Sequence, residues 1–340
     1  MSTLTLNNRG RMIFRSEGKD VPRELMQFRK QKNLWNFPVC GDIARRIVTS
    51  DENVIIDEEL GDRFNDVLAW QKGLDVIKST KDLPGVDGLM AYQRVAVKWL
   101  TVIKRGILAD SQGLGKTVTA VVAAGQLRPE KAIVVVPESK IADWDTHIKQ
   151  WIKANTIRLT GDAGDRRAAL ALWHDEGGYL IMNFNVMQMH IDDLLKEFHE
   201  DDLLIVDEAH KLRNRKTGMY KAARKIARRV NVFLLTASPT VNSVEDIWAL
   251  ISLIDPDRFG SFWGFTFRFC NVSDDGFGLK ITGVKASESN ALEKILRPYV
   301  IRREGELELA ELKFKTVEHK MTGTQAKLYK AMVDDNVCKY

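Results

Sequence analysis

Ile107-Leu108-Ala109-Asp110-Ser111-Gln112-Gly113-Leu114-Gly115-Lys116-Thr117 is an apolar run, a glycine-rich turn, then a lysine and a hydroxyl. The run from Gly106 to Asp110 reads as a strand and Thr119 to Gln126 as a helix, so the turn joins strand to helix. Glycines let the backbone curl so that its N–H groups face phosphate oxygens. The helix N-terminus behind the turn adds positive potential. Gly113, Leu114, Gly115, Lys116, Thr117 and Val118 are therefore candidates for cradling a nucleotide's phosphates. Lys116 would reach the β- and γ-phosphates, and the Thr117 hydroxyl would hold Mg²⁺. The general pattern asks for glycine five residues before Gly115, and Asp110 stands there instead. The plain alternative is a glycine-rich turn with an incidental lysine.

Outward from this stretch, short β-branched runs recur at Ala132 to Pro137, Ile157 to Thr160, Tyr179 to Asn183, Leu203 to Asp207 and Val232 to Thr236. Most are almost continuously apolar, as strands buried on both faces must be. Helix-like segments lie between them, and that alternation predicts an α/β fold with a parallel sheet flanked by helices. One of these strands ends in Asp207-Glu208-Ala209-His210. Acids at a strand's carboxyl end stand where α/β sheets bind ligands. Asp207 would coordinate Mg²⁺, Glu208 would orient and deprotonate the attacking water, and His210 could link nucleotide state to neighbouring loops. Another strand ends in Thr236-Ala237-Ser238-Pro239. Thr236 and Ser238 could sense the γ-phosphate and couple it to the acids; an ordinary turn with Ser238 as N-cap is the competing reading.

The 340 residues hold 51 Lys plus Arg against 46 Asp plus Glu, a formal charge of +5, which permits a phosphate-rich partner without demanding one. Cys40, Cys270 and Cys338 lie far apart, which argues against a disulfide framework or a zinc site and for a reducing compartment. The polar N-terminus has no signal-peptide core, and no apolar run approaches the ~20 residues that span a bilayer. Three domains are expected. An N-terminal accessory block, 1–86, closes at the turn-rich Leu83-Pro84-Gly85-Val86-Asp87-Gly88. A nucleotide-binding α/β lobe covers 87–240, and a helical extension covers 241–340. Within the first block Met12 to Arg15 reads as a strand, with amphipathic stretches around Glu24 to Arg29, Asp42 to Ile47 and Leu60 to Ile77.

Taken together these residues resemble superfamily-two helicases and, within them, Swi/Snf-type ATPases, over residues 89 to about 335. Ile107 to Thr117 (ILADSQGLGKT) is similar to that family's phosphate loop, Asp110 included. Asp207 to Asn214 (DEAHKLRN) looks like its DEAH box, and Leu89 to Leu100 (LMAYQRVAVKWL) like its adenine-recognition segment, with Gln93 reading the base. Ala96 stands where the family usually has glycine, and Thr236-Ala237-Ser238-Pro239 where it commonly shows Thr-Gly-Thr-Pro. Asp255 to Gly260 and Arg297 to Arg303 resemble segments that set Swi/Snf-type motors apart from other DEAH proteins. The resemblance implies a RecA-like first lobe, ATP and Mg²⁺ as cofactors, and sequence-independent binding of double-stranded or forked DNA. It implies a monomer without membrane association that needs a second RecA-like lobe, in cis or in trans.

By family position, Ser139, Lys140 and Trp144, in Ala132 to Trp151 (AIVVVPESKIADWDTHIKQW), and the loop of Asn183 and Asn185 are DNA-backbone candidates, on loops opposite the ATP pocket. Arg224, Lys225, Arg228 and Arg229 form a basic stretch that reads equally as a solvated helix face. Asn33 to Pro38 (NLWNFP) resembles a segment in the accessory domain of annealing-helicase relatives, or serves as an aromatic anchor. No Gln-x-x-Gly-Arg-type second-lobe motif follows Arg303, so the chain alone is expected to bind Mg–ATP weakly and hydrolyse it slowly or not at all. A nucleotide-dependent binding module without turnover is the rival from another class. An RNA helicase or a restriction-enzyme motor is a third reading, disfavoured by Asn242 to Gly260. An intracellular site is expected: cytoplasmic for a bacterial or viral source, which the lack of long charged tails favours, and nuclear for a eukaryotic one.

Overall fold

The computed structural model describes residues 86–237, 244–255, 261–274, 279–303 and 322–334, together with 73–80 and five short N-terminal strands. Met1–Gly305 form one compact unit and Glu306–Tyr340 a second. The N-terminal strands are β1 (Thr3–Leu6), β2 (Met12–Arg15), β3 (Arg29–Gln31), β4 (Leu34–Phe37) and β5 (Ile55–Ile56), in the order β3-β4-β2-β1-β5. The strand expected at Met12 to Arg15 is β2, and it pairs antiparallel with β4, which carries Leu34 to Phe37. The amphipathic stretches expected near Glu24 and Asp42 lie outside the described residues. Of Leu60 to Ile77, the described part is helix α1, residues 73–79.

The main sheet is built from β6 (Arg105–Leu108), β7 (Lys131–Val135), β8 (Thr156–Arg158), β9 (Gly178–Met182), β10 (Leu203–Val206), β11 (Asn231–Leu235) and β14 (Val300–Ile301). Its order is β14-β6-β11-β10-β7-β9-β8, and every neighbouring pair is parallel. Alternate side chains enter two separate cores. Ile133, Val135, Leu204, Val206, Val232 and Leu234 face one; Ala132, Val134, Leu203, Ile205, Phe233 and Leu235 face the other. Two buried faces with a side-chain period of two explain why these strands read as unbroken apolar runs. Three strands, β6, β7 and β11, start at a polar residue, Arg105, Lys131 and Asn231, just before the expected apolar run. Backbone pairing includes that residue, while the acid or hydroxyl at the far end leaves the ladder to form a loop.

Helices α2 (Ala91–Ile103), α3 (Lys116–Leu127) and α4 (Ile141–Ile152) cover the second face through Leu100, Val121 and Ile148. The first face is covered by α5 (Ala163–Glu176), α6 (Phe184–Met189), α7 (Ile191–Leu194), α8 (Gly218–Ala227), α9 (Val244–Ile254), α10 (Phe262–Phe269) and α11 (Ala286–Leu296). Arg105 ties two of these helices to the sheet. Its guanidinium donates to the carbonyls of Ala227 at 2.6 Å, Ile254 at 2.6 Å and Leu253 at 2.8 Å, capping the ends of α8 and α9.

The boundary expected at 240 is not a break in packing. Trp248, Ile251, Phe265 and Ile295, from beyond it, share the first core with Val135 and Leu234. Nor is the region wholly helical. It contains the antiparallel pair β12 (Cys270–Asp274) and β13 (Leu279–Val284), and β14 completes the main sheet beside β6. Residues 244–303 thus belong to the α/β unit. In the second unit the described element is α12 (Gly323–Asp334), a helix within the extension expected over 241–340.

Candidate active site

The sheet order decides the site. β6, β11 and β10 are neighbours, so the loops leaving their carboxyl ends stand side by side: the glycine turn after Leu108, Thr236 after Leu235, and the acids after Val206. Gly113 and Gly115 take φ of 84° and 68°, the left-handed region that glycine enters without strain. A Cβ on Gly115 would meet Nε2 of Gln93, so that amide would have to swing aside and give up its place over the turn. Gln93 is buried; its Nε2 donates to the Leu114 carbonyl at 3.3 Å, and its Oε1 accepts from the Met90 amide at 2.9 Å. The segment expected to read the base is thereby fastened to the turn expected to hold the phosphates.

Lys116 opens α3, and its ammonium donates to the carbonyls of Asp110 at 2.8 Å and Ser111 at 3.0 Å. Burial lowers its pKa from the ordinary lysine value, against the pull of Asp110, Asp207 and Glu208, which raise it. These acids therefore lie within electrostatic reach of Lys116, on one side of the molecule. Thr117 and Val118 follow on the first turn of α3, both half-buried.

At the tip of β10, Asp207 Oδ1 accepts from the Glu208 amide at 2.9 Å and Oδ2 from the Trp144 indole N–H at 3.0 Å. Glu208 holds φ of 50°, left-handed for a residue with a side chain, and turns the chain sharply off the strand. His210 Nδ1 stands 3.2 Å from Glu208 Oε2 without hydrogen-bond alignment. Thr236 is buried between the two tips, its amide bonded to the Leu108 carbonyl at 3.1 Å. Ser238 lies outside the described residues.

The donor set fits magnesium delivered with a nucleotide. Among the described residues no group of three or more His, Cys, Asp or Glu side chains could hold a metal by itself. A carboxylate and a threonine hydroxyl, the donor types of Asp207 and Thr117, suit Mg²⁺, which takes one or two protein ligands and completes its shell with phosphate oxygens and water.

The DNA candidates divide. Ser139 and Lys140 are exposed on a short 3-10 turn, Glu138–Lys140, and Asn185 is exposed at the start of α6. Asn183 caps α6, its Oδ1 accepting from the Val186 amide at 2.9 Å, while its Nδ2 donates to the Glu138 carboxylate and joins the two loops. Trp144 is a correction: it is 1% exposed, with its indole N–H given to Asp207, so its side chain faces that carboxylate and the core instead of a DNA backbone. The helical phase of α4 explains this, because Ile141, Trp144 and Ile148 share its buried face. The loops are also not opposite the nucleotide site. They leave β7 and β9 at the same carboxyl edge, next along the sheet from β10.

Sequence reading assigned no role to Arg303. Its backbone amide and Nε donate to Asp110 Oδ1 at 2.9 and 3.0 Å, and Nη2 donates to Oδ2 at 2.7 Å. The signal was present as the acid standing where the phosphate-loop pattern wants glycine.

A family model described as the SNF2-related domain matches residues 92–339. Chromodomain-helicase-DNA-binding protein 6 of Rattus norvegicus is 26% identical over 291 residues, covering 79% of this chain and 10% of that protein. The human SWI/SNF-related matrix-associated actin-dependent regulator of chromatin subfamily A member 1 is 30% identical over 228 residues, covering 63% of this chain and 21% of that protein. The chain thus spans a minor part of the curated relatives it matches. Among solved structures, the Sulfolobus solfataricus SWI2/SNF2 ATPase core in complex with dsDNA is similar at TM-score 0.55 and 22% identity, over 76% of this chain and 54% of that one. That likeness is one of fold, and it agrees with the parallel α/β sheet expected from the strand–helix alternation and with the RecA-like lobe that the resemblance implies.

Proposed function

The chain belongs to the SNF2-related domain family, and on that premise we propose that it is the ATP-binding lobe of a DNA-dependent ATPase of the Swi/Snf kind. The observation that carries the reading is that Lys116, Asp207 and Glu208 stand within electrostatic reach of one another at the carboxyl ends of β6 and β10, on either side of β11, where α/β sheets bind ligands. Gln93 would read the adenine edge, and the amides of Gly113 to Val118 would face the phosphates. Lys116 would leave its two carbonyl partners for the β- and γ-phosphate oxygens. Thr117 and Asp207 would hold Mg²⁺, which neutralises phosphate charge when bound with ATP. Trp144 keeps Asp207 oriented by occupying one carboxylate oxygen. Glu208 would take the proton of the attacking water, with His210 beside it and Thr236 and Ser238 reporting the γ-phosphate to the acids.

Duplex or forked DNA is the proposed track, held through the backbone by Ser139, Lys140 and the Asn183–Asn185 loop, so affinity should be independent of sequence and steep in salt. A second RecA-like lobe, in cis or in trans, would close the nucleotide site from outside. Helicase-like translocation on DNA, in the DEAH manner, is the activity that this pairing supports. We place the chain inside the cell, on the wide separation of its three cysteines, Cys40, Cys270 and Cys338. No described helix is long and apolar enough to cross a membrane.

Equilibrium binding of a fluorescent ATP analogue with and without Mg²⁺ tests the core of the reading. Parent protein should bind with Mg²⁺, and Lys116→Ala should lose about 10- to 100-fold in affinity, as loss of a charge-assisted contact implies. Equal binding by both would remove Lys116 from the phosphate site. Competition between duplex DNA and RNA across a salt series separates a DNA motor from an RNA helicase.

A further inference from the structure

The phosphate loop opens with an acid at the position that the general pattern gives to glycine. Asp110 is 1% exposed, so its charge cannot be dispersed by water, and it lies next to the groups that must accept a triphosphate. We propose that Arg303 is a positioning residue for nucleotide binding: it neutralises Asp110 and fixes the entry to the phosphate loop, so that Lys116 stays free for phosphate.

Four observations support this. Both carboxylate oxygens of Asp110 are taken, Oδ1 by the Arg303 backbone amide and Nε, and Oδ2 by Nη2 at 2.7 Å. The fork of a guanidinium matches a carboxylate in this way and a lysine does not. The remaining nitrogen of Arg303, Nη1, donates to the Tyr92 carbonyl, and the guanidinium lies 5.2 Å from the centre of the Tyr92 ring. Tyr92 in turn donates its hydroxyl to the Leu114 carbonyl at 3.3 Å, inside the phosphate loop. The Ser111 amide donates to the Arg303 carbonyl at 3.1 Å. The Lys116 ammonium rests on the backbone oxygen of the same Asp110, one residue's width from the carboxylate. Every one of these contacts falls on a segment that handles the nucleotide. Without Arg303, an unpaired buried carboxylate would compete with phosphate for Lys116 and repel the incoming anion.

The inference rests on the nucleotide-binding reading, and the experiment separates the two. ATP, ADP and AMP affinities are measured by calorimetry for the parent, Arg303→Gln, Arg303→Lys, Asp110→Asn, the double Asp110→Asn/Arg303→Gln, and Lys116→Ala, with a thermal melt for each. Arg303→Gln should weaken ATP binding by about tenfold or more, ADP by less and AMP least, because the repulsion scales with phosphate charge. Arg303→Lys should regain part of the loss, and the double variant most of it, since the buried charge is then gone. A melt that falls while the ATP-to-AMP ratio stays at the parent value makes the pair merely structural and overturns the proposal. So does a double variant that binds ATP no better than Arg303→Gln. Should Arg303→Gln not fold, Arg303→Lys and the double variant decide by the same ratio. Lost ATP binding in Lys116→Ala with unchanged binding in every Arg303 variant overturns this inference and leaves the nucleotide reading intact. A parent that binds no ATP overturns both.

Discussion

Two strand tips of this protein read alike and behave differently. Ile107-Leu108-Ala109-Asp110 and Leu204-Ile205-Val206-Asp207 are both apolar runs that end in aspartate at the carboxyl edge of one sheet, with β11 between them. Asp110 is sealed, 1% exposed, both oxygens spent on an arginine 193 residues away in sequence. Asp207 is half-buried, held by one indole N–H and one backbone amide, with lone pairs left over on both oxygens. The first is a neutralised charge that shapes a loop; the second is an acid that keeps acceptor capacity to spare. Local sequence placed both acids, and partners from elsewhere in the chain divided their work.

That division predicts opposite failures. Removing chemistry at the β10 tip should spare the fold: Glu208→Gln should cut ATP turnover by about 10²- to 10⁴-fold, the worth of a positioned general base, while ATP binding and the melting midpoint hold. Single-turnover phosphate release with DNA present measures it, and undiminished release would mean that Glu208 is not the base. At the β6 tip the damage should fall on stability. Arg303→Ala strands a buried carboxylate, and because the pair is partly open to solvent, with Arg303 25% exposed, the loss should be about 3 kcal/mol, the low end for breaking a buried pair. Chemical denaturation reads this. Asp207→Asn in the same assay should cost less, about 1 kcal/mol, because its single amide oxygen keeps one of the two hydrogen bonds while the amide nitrogen can accept neither. Equal losses at the two tips would erase the contrast.

The contrast also shows what the sequence could carry. The parallel sheet was legible because its strands are buried on both faces, which forces unbroken apolar runs at Ala132 to Val136 and Leu203 to Val206. The placement of the glycine turn and the acid pair at strand tips was legible because their geometry is local: Gly113, Gly115 and Lys116 lie within one turn, and Asp207 and Glu208 are adjacent. Arg303 was not, because a long-range ion pair leaves no periodic trace; only the misfit of Asp110 with the general pattern hinted at a missing partner. Trp144 was misplaced for a related reason. Its position after the Pro137 turn put it on a DNA-facing segment, but the phase of α4 turns it inward beside Ile141 and Ile148. The expected boundary at 240 failed because nothing local shows that Trp248 and Phe265 pack under strands far upstream, or that Val300 and Ile301 complete the sheet.

Trp144 offers a finer cut at the β10 tip. Phenylalanine keeps most of the buried volume and removes the N–H that holds Asp207 Oδ2. Trp144→Phe should therefore raise the Mg²⁺ concentration needed for half-maximal nucleotide binding by about fivefold, the equivalent of one ordinary hydrogen bond of about 1 kcal/mol. Binding of DNA at low salt should be unchanged. An altered salt slope for DNA with unaltered Mg²⁺ dependence would restore Trp144 to the DNA face.

The smallest effect belongs to the strand that delivers Arg303. On α1, the Lys78 ammonium donates to the Val300 carbonyl at 2.7 Å and to that of Arg297, and it sits 5.0 Å from the centre of the Trp99 ring. Burial lowers its pKa to about 8, against the pull of Asp75 and with a small further push from Arg297. The unfolded chain therefore holds this proton between about pH 8 and the ordinary lysine value of 10.5, where the folded chain has lost it. Stability from this group must then rise with pH across that window and fall as pH drops through 8. Lys78→Met has no proton to lose, so its melting midpoint minus that of the parent should shrink from pH 7.5 to pH 10, by about 1–2 °C once solvent screening of a half-buried amine is allowed for. A difference that stays flat across the window would mean that Lys78 meets water more freely than its contacts with the Arg297 and Val300 carbonyls imply.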